Sequence, residues 1–345
     1  MTKIKTKSAF LLTLASLLGV VVLGGVSVNI ADRLYSVFLL VVVGVVFALL
    51  AAFISAKNPQ KSLFQILDDR FSSFAGQIFK MIFVMSALVV AATILFETTR
   101  FFSGTILRHT PPIIISLFIA AIAAYLAKSR APTLAKWAIL ALFGSILTLI
   151  FVTIFTLNSM EFENLNFSRT VNFNLDGQSF LLLIPLVIPM ILAISGSNHE
   201  ETKPYKSIFL ASLAAFAMIF FILLRDALIL GTIIEEMPFP SHTVARLSRH
   251  ATGIDISPIV AVIFAALPVG LISLSLLTLH EGSAKFTMQK TGSKLILPMF
   301  AVLALVLSQL LFLRDFKNIL IAVLSVLVVL NFLSLCTIAL FCKKE

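Results

Sequence analysis

The residues best placed to do chemistry in this chain are mostly uncharged. The stretch Leu17–Ser27, LLGVVVLGGVS, sets Gly19, Gly24, Gly25 and Ser27 in a run otherwise built from Leu and Val. Glycine inside a helix costs roughly 1 kcal/mol against alanine. In return it lets the backbone unwind, or lets a second helix approach closely. Unwound backbone in an apolar segment offers free N–H and C=O groups to a small polar ligand. Close packing through small residues is the other reading. A second stretch has the same character: Pro185 and Pro189 precede Ser195–Gly196 in one apolar segment. Each proline removes a backbone donor and frees a carbonyl.

Those stretches must be held by membrane helices. The chain has 345 residues, 59% hydrophobic and 12% charged, with mean hydropathy +1.08. Soluble domains carry about 25% charged residues. Segments near the length of a bilayer crossing number ten: Ala9–Ile30, Leu34–Ala56, Phe79–Phe96, Pro112–Leu126, Ala135–Leu157, Ser179–Ile194, Ser207–Leu224, Pro258–Leu279, Leu295–Leu313 and Phe316–Phe341. The fourth and sixth are short, and the third continues toward Leu107. The first is read as a retained helix and not a signal peptide, because its apolar run is too long. The whole chain, 1–345, reads as one transmembrane domain.

Charge sets an orientation. With the N-terminus inside, 17 of the 26 Lys and Arg fall on inner segments. The positive-inside rule then predicts both termini in the cytoplasm. Ten spans divide into two halves of five, 9–157 and 179–341, the second entering from the opposite side. That is the arithmetic of an inverted repeat. Gly24–Gly25 and Ser195–Gly196 fall at matching depths of the first helix of each half, which is the pattern of a transporter-type binding site.

Three loops are long enough to carry structure. Lys57–Gly76 contains Leu63, Phe64, Ile66, Leu67 and Phe71 at helical spacing and reads as an amphipathic helix on the inner surface. Asn158–Asp176 reads as a solvated outer loop with few contacts. In Gly231–Pro258, Pro238 and Pro240 set a rigid entry to a short basic helix over Thr243–His250.

Charged residues near the spans form a second group of candidates. Arg225 and Asp226 stand together in ILLRDALIL, where charge is costly unless paired or interfacial. Adjacent helical residues do not face each other, so the expectation is an outer-interface site with a separate partner for each. A gating or subunit role is the alternative. Glu97 and Arg100 are spaced for an ion pair, and Arg314–Asp315 reads as a solvated turn. Arg246 and Arg249 share a face of the short outer helix and are read as gating, partner-contacting or simply solvated.

Enzyme chemistry has little foothold. His109, His199, His242, His250 and His280 read as loop residues, and none forms a metal-binding pair such as HExxH. Cys336 and Cys342 imply neither a disulfide framework nor a metal box. No metal, cofactor or nucleic-acid partner is expected. An excess of positive charge in such a chain marks cytoplasmic loops.

Three stretches resemble one family. They are the Gly-rich first segment, FETTRFFSGTILRHTPPIII (Phe96–Ile115) and MPFPSHTVARLSRHATGID (Met237–Asp255). With the ten-span count, they resemble the B subunit of GerA-type spore germinant receptors, within the amino acid–polyamine–organocation (APC) superfamily. The resemblance implies a LeuT-type fold and a nutrient germinant, usually an amino acid, bound between helices one, three, six and eight. It implies A and lipoprotein C subunits as partners in the spore inner membrane. A zwitterion's carboxylate would sit on half-helix N–H groups and its ammonium on freed carbonyls. The residues assigned to that site are Gly19, Gly24, Gly25, Ser27, Ser195 and Gly196, with Ser86 and Pro189 beside them. An actively pumping permease of the same superfamily is the alternative. The central parts of these helices lack acids, which favours binding without pumping.

Overall fold

Residues 6–21, 30–58, 61–164, 182–195, 204–249, 253–283, 293–312 and 316–341 are described in a computed structural model of the chain. Among them are twelve α-helices and no strand. They are α1 (Thr6–Val21), α2 (Ile30–Lys57), α3 (Leu63–Arg70), α4 (Ser73–Thr105), α5 (Pro112–Lys128), α6 (Arg130–Thr156), α7 (Leu183–Ser195), α8 (Pro204–Leu230), α9 (Pro240–Leu247), α10 (Ser257–Ser283), α11 (Ser293–Leu310) and α12 (Phe316–Phe341). Five are long and apolar enough to cross a bilayer, and five more are shorter apolar helices. Each of these ten overlaps one segment expected from the sequence.

The packing repeats itself when the halves are exchanged. The spans of the first half are α1, α2, α4, α5 and α6; those of the second are α7, α8, α10, α11 and α12. Helix α1 packs on α8 as α7 packs on α2, and α1 packs on α6 as α7 packs on α12. Helix α10 lies on α5 and α6 as α4 lies on α11 and α12. The third helices of the two halves, α4 and α10, lie against each other, as do the first, α1 and α7. The two short helices obey the same exchange. Helix α3 follows the second of these ten helices and α9 follows the seventh.

The two most enclosed long spans are α10 and α4, followed by α8. Polar residues in α10 are made compatible with burial locally. Ser273, Ser275 and Thr278 donate to the carbonyls of Val269, Leu271 and Leu274, four residues back. Pro268 sits inside α10 and withholds the donor that Phe264 O would otherwise receive. Around it the neighbours come unusually close. A Cβ added at Gly19 of α1 would lie 2.9 Å from Leu267 O. Trp137 of α6 donates from Nε1 to Ala266 O at 2.9 Å.

Helix α3 forms, with Ser62 and Gln65 closing a reciprocal cap at its start. Its apolar face does not lie on lipid as expected. Leu63, Phe64, Ile66 and Leu67 are buried, and the helix packs on α4 and α7. Asp68 pairs with Lys80 of α4. The Asn158 loop also departs from expectation in its described part. Glu161 N and Asn164 Nδ2 both donate to Leu228 O, at 3.0 and 2.8 Å, tying the loop to the end of α8. Helix α9 begins three residues earlier than expected, at Pro240, and its last residue is Leu247. His242 thus lies on a helix, and His280 lies in the last turn of α10, rather than in loops.

Candidate functional site

Gly24, Gly25, Ser27 and Gly196 fall outside the described residues, as does Arg314–Asp315. Ser195 is the last residue of α7, and Pro189 lies inside that helix and is buried. Because Pro189 has no N–H, the carbonyl of Pro185 lacks its helical donor. Gly19 meets the close-packing reading directly: its face touches the α10 backbone at Leu267 and Pro268. Ser86 is buried, but its hydroxyl is already engaged. It donates to Ile82 O at 2.8 Å and accepts from Asn331 Nδ2 of α12 at 2.7 Å.

Arg225 and Asp226 correct the expectation most sharply. They are not at the interface, being 2% and 0% exposed. Nor does each find a separate partner. The guanidinium folds back so that Nε and Nη2 both donate to Asp226 Oδ1, at 3.0 and 2.6 Å. The long Arg side chain makes this turn possible even though neighbouring positions on a helix point apart. The other carboxylate oxygen, Oδ2, accepts from Ser241 Oγ of α9. A charge pair inside the bundle therefore anchors the short helix that covers it.

One face of this arrangement opens on a chamber of about 20 Å³. Its walls are Leu18 from α1, Ser145 and Leu149 from α6, Met218, Ile222 and Arg225 from α8, Ser241 from α9, and Phe264 and Leu267 from α10. The volume is enough for about one water. Two of these residues carry a buried polar atom with no hydrogen-bond partner among the described residues, Arg225 at Nη1 and Ser145 at Oγ. Buried donors are normally satisfied, so two unpartnered groups on residues around one small chamber stand out. Sequence reasoning found Arg225 through its charge in an apolar run. It passed over Ser145, a hydroxyl in an apolar helix, and Ser241, which looked like part of a loop entry. No local pattern marks either one.

On the α9 face lies a wider cavity of about 420 Å³, lined by Thr105, Arg108, Phe239, His242, Arg246 and Asp255 among others. His242 stacks edge-on against Phe101, with ring centroids 5.4 Å apart. Burial pushes its imidazole below the ordinary histidine value, and Arg246 adds to the shift while Asp255 and Ser257 oppose it. Hydrogen bonds from Ser257 hold the Asp255 carboxyl low, with Arg249 and Arg246 adding to the effect. Arg246 and Arg249 are themselves exposed. Glu97 and Arg100 approach to 3.7 Å as the spacing suggested, and Arg100 also faces the Phe239 ring. Among the described residues there is no cluster of three metal-ligating side chains.

Ten apolar helices in two exchangeable halves, with proline-containing helices among the most buried, define a membrane protein of LeuT-type transporter fold. Residues 3–224 match the family described as spore germination protein, and the chain belongs to that family. Among curated proteins none matches. Among solved structures it is similar to Mhp1, a nucleobase-cation-symport-1 family transporter in a closed conformation with bromovinylhydantoin bound. The TM-score is 0.60 at 12% identity, covering 92% of this chain and 75% of that one. That likeness concerns the fold.

Proposed function

We propose that this chain is the nutrient-sensing membrane subunit of a spore germination receptor, and that its germinant is an amino acid. The observation that carries the reading is the family membership of a chain with a transporter's fold. The two halves of such a fold enclose a ligand near the bilayer midplane, where interrupted helices leave backbone groups free. Here α1 and α7 pack together at the centre. The glycines that follow in α1's segment, and Ser195–Gly196 after the prolines of α7's segment, are the backbone positions assigned to that ligand. Carbonyls freed by proline suit an ammonium. Receptor A and C subunits complete the assembly in the spore inner membrane, with both termini of this chain in the cytoplasm.

A permease reading is favoured by the likeness to a transporter. One experiment separates the two. The full chain is reconstituted in proteoliposomes and offered a panel of amino acids, nucleosides and sugars, with thermal stabilisation and radiolabel uptake read together. A specific ligand at about 100 times its Kd stabilises the fold by roughly 2.7 kcal/mol. Stabilisation by an amino acid without accumulation is the expected result, and Gly25→Val or Gly196→Val abolishes it. Gradient-driven accumulation makes the chain a permease. A normal response in either valine variant moves the site elsewhere.

A further inference from the structure

The buried arginine has more donors than its partner uses. Asp226 Oδ1 takes Nε and Nη2 of Arg225, and Oδ2 takes Ser241. That leaves Nη1 with no protein acceptor among the described residues, and Ser145 Oγ is equally unpartnered, both on residues that line one chamber. Arg225 is 2% exposed and Ser145 6%. The remaining wall is apolar, from Leu18, Leu149, Met218, Ile222, Phe264 and Leu267. A guanidinium edge and a hydroxyl in an otherwise dry wall form a donor pair suited to a carboxylate.

We propose that this chamber is where the ligand's carboxylate docks, with Arg225 Nη1 and Ser145 Oγ as its donors. The inference rests on the amino-acid reading above and places the ligand's carboxylate on side chains in place of the backbone N–H groups of the α1 and α7 segments. Charge selects the class of ligand. Arg225 and Asp226 already sum to zero, so a bare carboxylate would bring an uncompensated negative charge into a low-dielectric site. A zwitterion brings its own ammonium. Phe264 lies in the same wall, and its carbonyl, which Pro268 leaves without a helical donor, is the acceptor assigned to that ammonium. Room is the remaining constraint. About 20 Å³ admits one water but not a whole carboxylate. Docking there therefore requires the chamber to widen, and that movement is assigned to the α9 side of the wall, which Ser241 forms.

The test measures binding isotherms on the reconstituted full chain for alanine and the other protein amino acids, their methyl esters and the matching deaminated acids. Ser145→Ala removes one donor with little change in shape. Arg225→Lys keeps the charge opposite Asp226 and removes Nη1. The expected result is about a tenfold or greater loss of affinity in each variant, as for one hydrogen bond to a charged group. Esters and deaminated acids bind the unaltered chain far more weakly than the amino acid. If the unaltered chain binds an amino acid and Ser145→Ala binds it equally well, the chamber is not the anchor, and the amino-acid reading stands. If the unaltered chain binds no amino acid, both are overturned. Unliganded melting temperatures serve as the folding control, and Ser145→Ala alone decides the matter if Arg225→Lys fails to fold.

Discussion

Ser241 in α9 donates a hydrogen bond to the Asp226 carboxylate in α8, and that carboxylate is wholly buried while also holding Arg225. The short helix over the bundle and the internal charge pair are therefore one unit. Removing a single member leaves the others without compensation.

Asp226→Asn is expected to destabilise the protein strongly, by about 3–5 kcal/mol, because it leaves the arginine buried without its counter-charge. Replacing both residues together, Arg225→Met with Asp226→Leu, is expected to cost less than the single change. Thermal unfolding in detergent gives the order. A single variant milder than the double one would show that the pair is not the anchor described.

Gly19→Ala places a methyl group 2.9 Å from the Leu267 carbonyl oxygen, against backbone and not against a flexible side-chain end. Overpacking of this kind costs roughly 1–3 kcal/mol. The melting temperature should fall. An unchanged value would mean that α1 and α10 separate freely at this point.

Trp137 is the sole tryptophan, and its Nε1–H satisfies Ala266 O beside Pro268. Trp137→Phe is expected to cost about 1–3 kcal/mol through that unsatisfied carbonyl. In the unaltered chain its emission reports the α6–α10 contact. A ligand that moves α10 should shift the emission, and one that binds without a shift would leave α10 fixed.

Acid should loosen α9. The folded state holds the His242 pKa below its unfolded value of about 6.5. Below that value the unfolded chain binds more protons, so His242 favours folding above about pH 6.5 and loses that contribution as pH falls below it. The lowered Asp255 pKa acts with the same sign, but only in the range of carboxylate titration. Melting temperature measured from pH 8 to pH 5 should fall, and His242→Gln should flatten the profile. An equal fall in the variant would place the pH dependence on another group.

What the sequence determined by itself was the class and the frame. Apolar runs near the length of a bilayer crossing favour helices, because in lipid every backbone group must be satisfied within its own segment. Ten such runs and the placement of glycine and proline led to the two-half arrangement that the packing then displayed in pairs such as α1 on α8 and α7 on α2. Periodicity likewise marked α3. Tertiary structure decided which partner each face meets. The apolar side of α3 turned to α4 and α7 instead of lipid, and Gly19 met the α10 backbone. The same holds for the Arg225 chamber, whose walls come from α1, α6, α8, α9 and α10. Local spacing ranks residues along one helix. It carries no information about Ser145 and Ser241, which lie in different helices from Arg225 and join it only when the bundle closes.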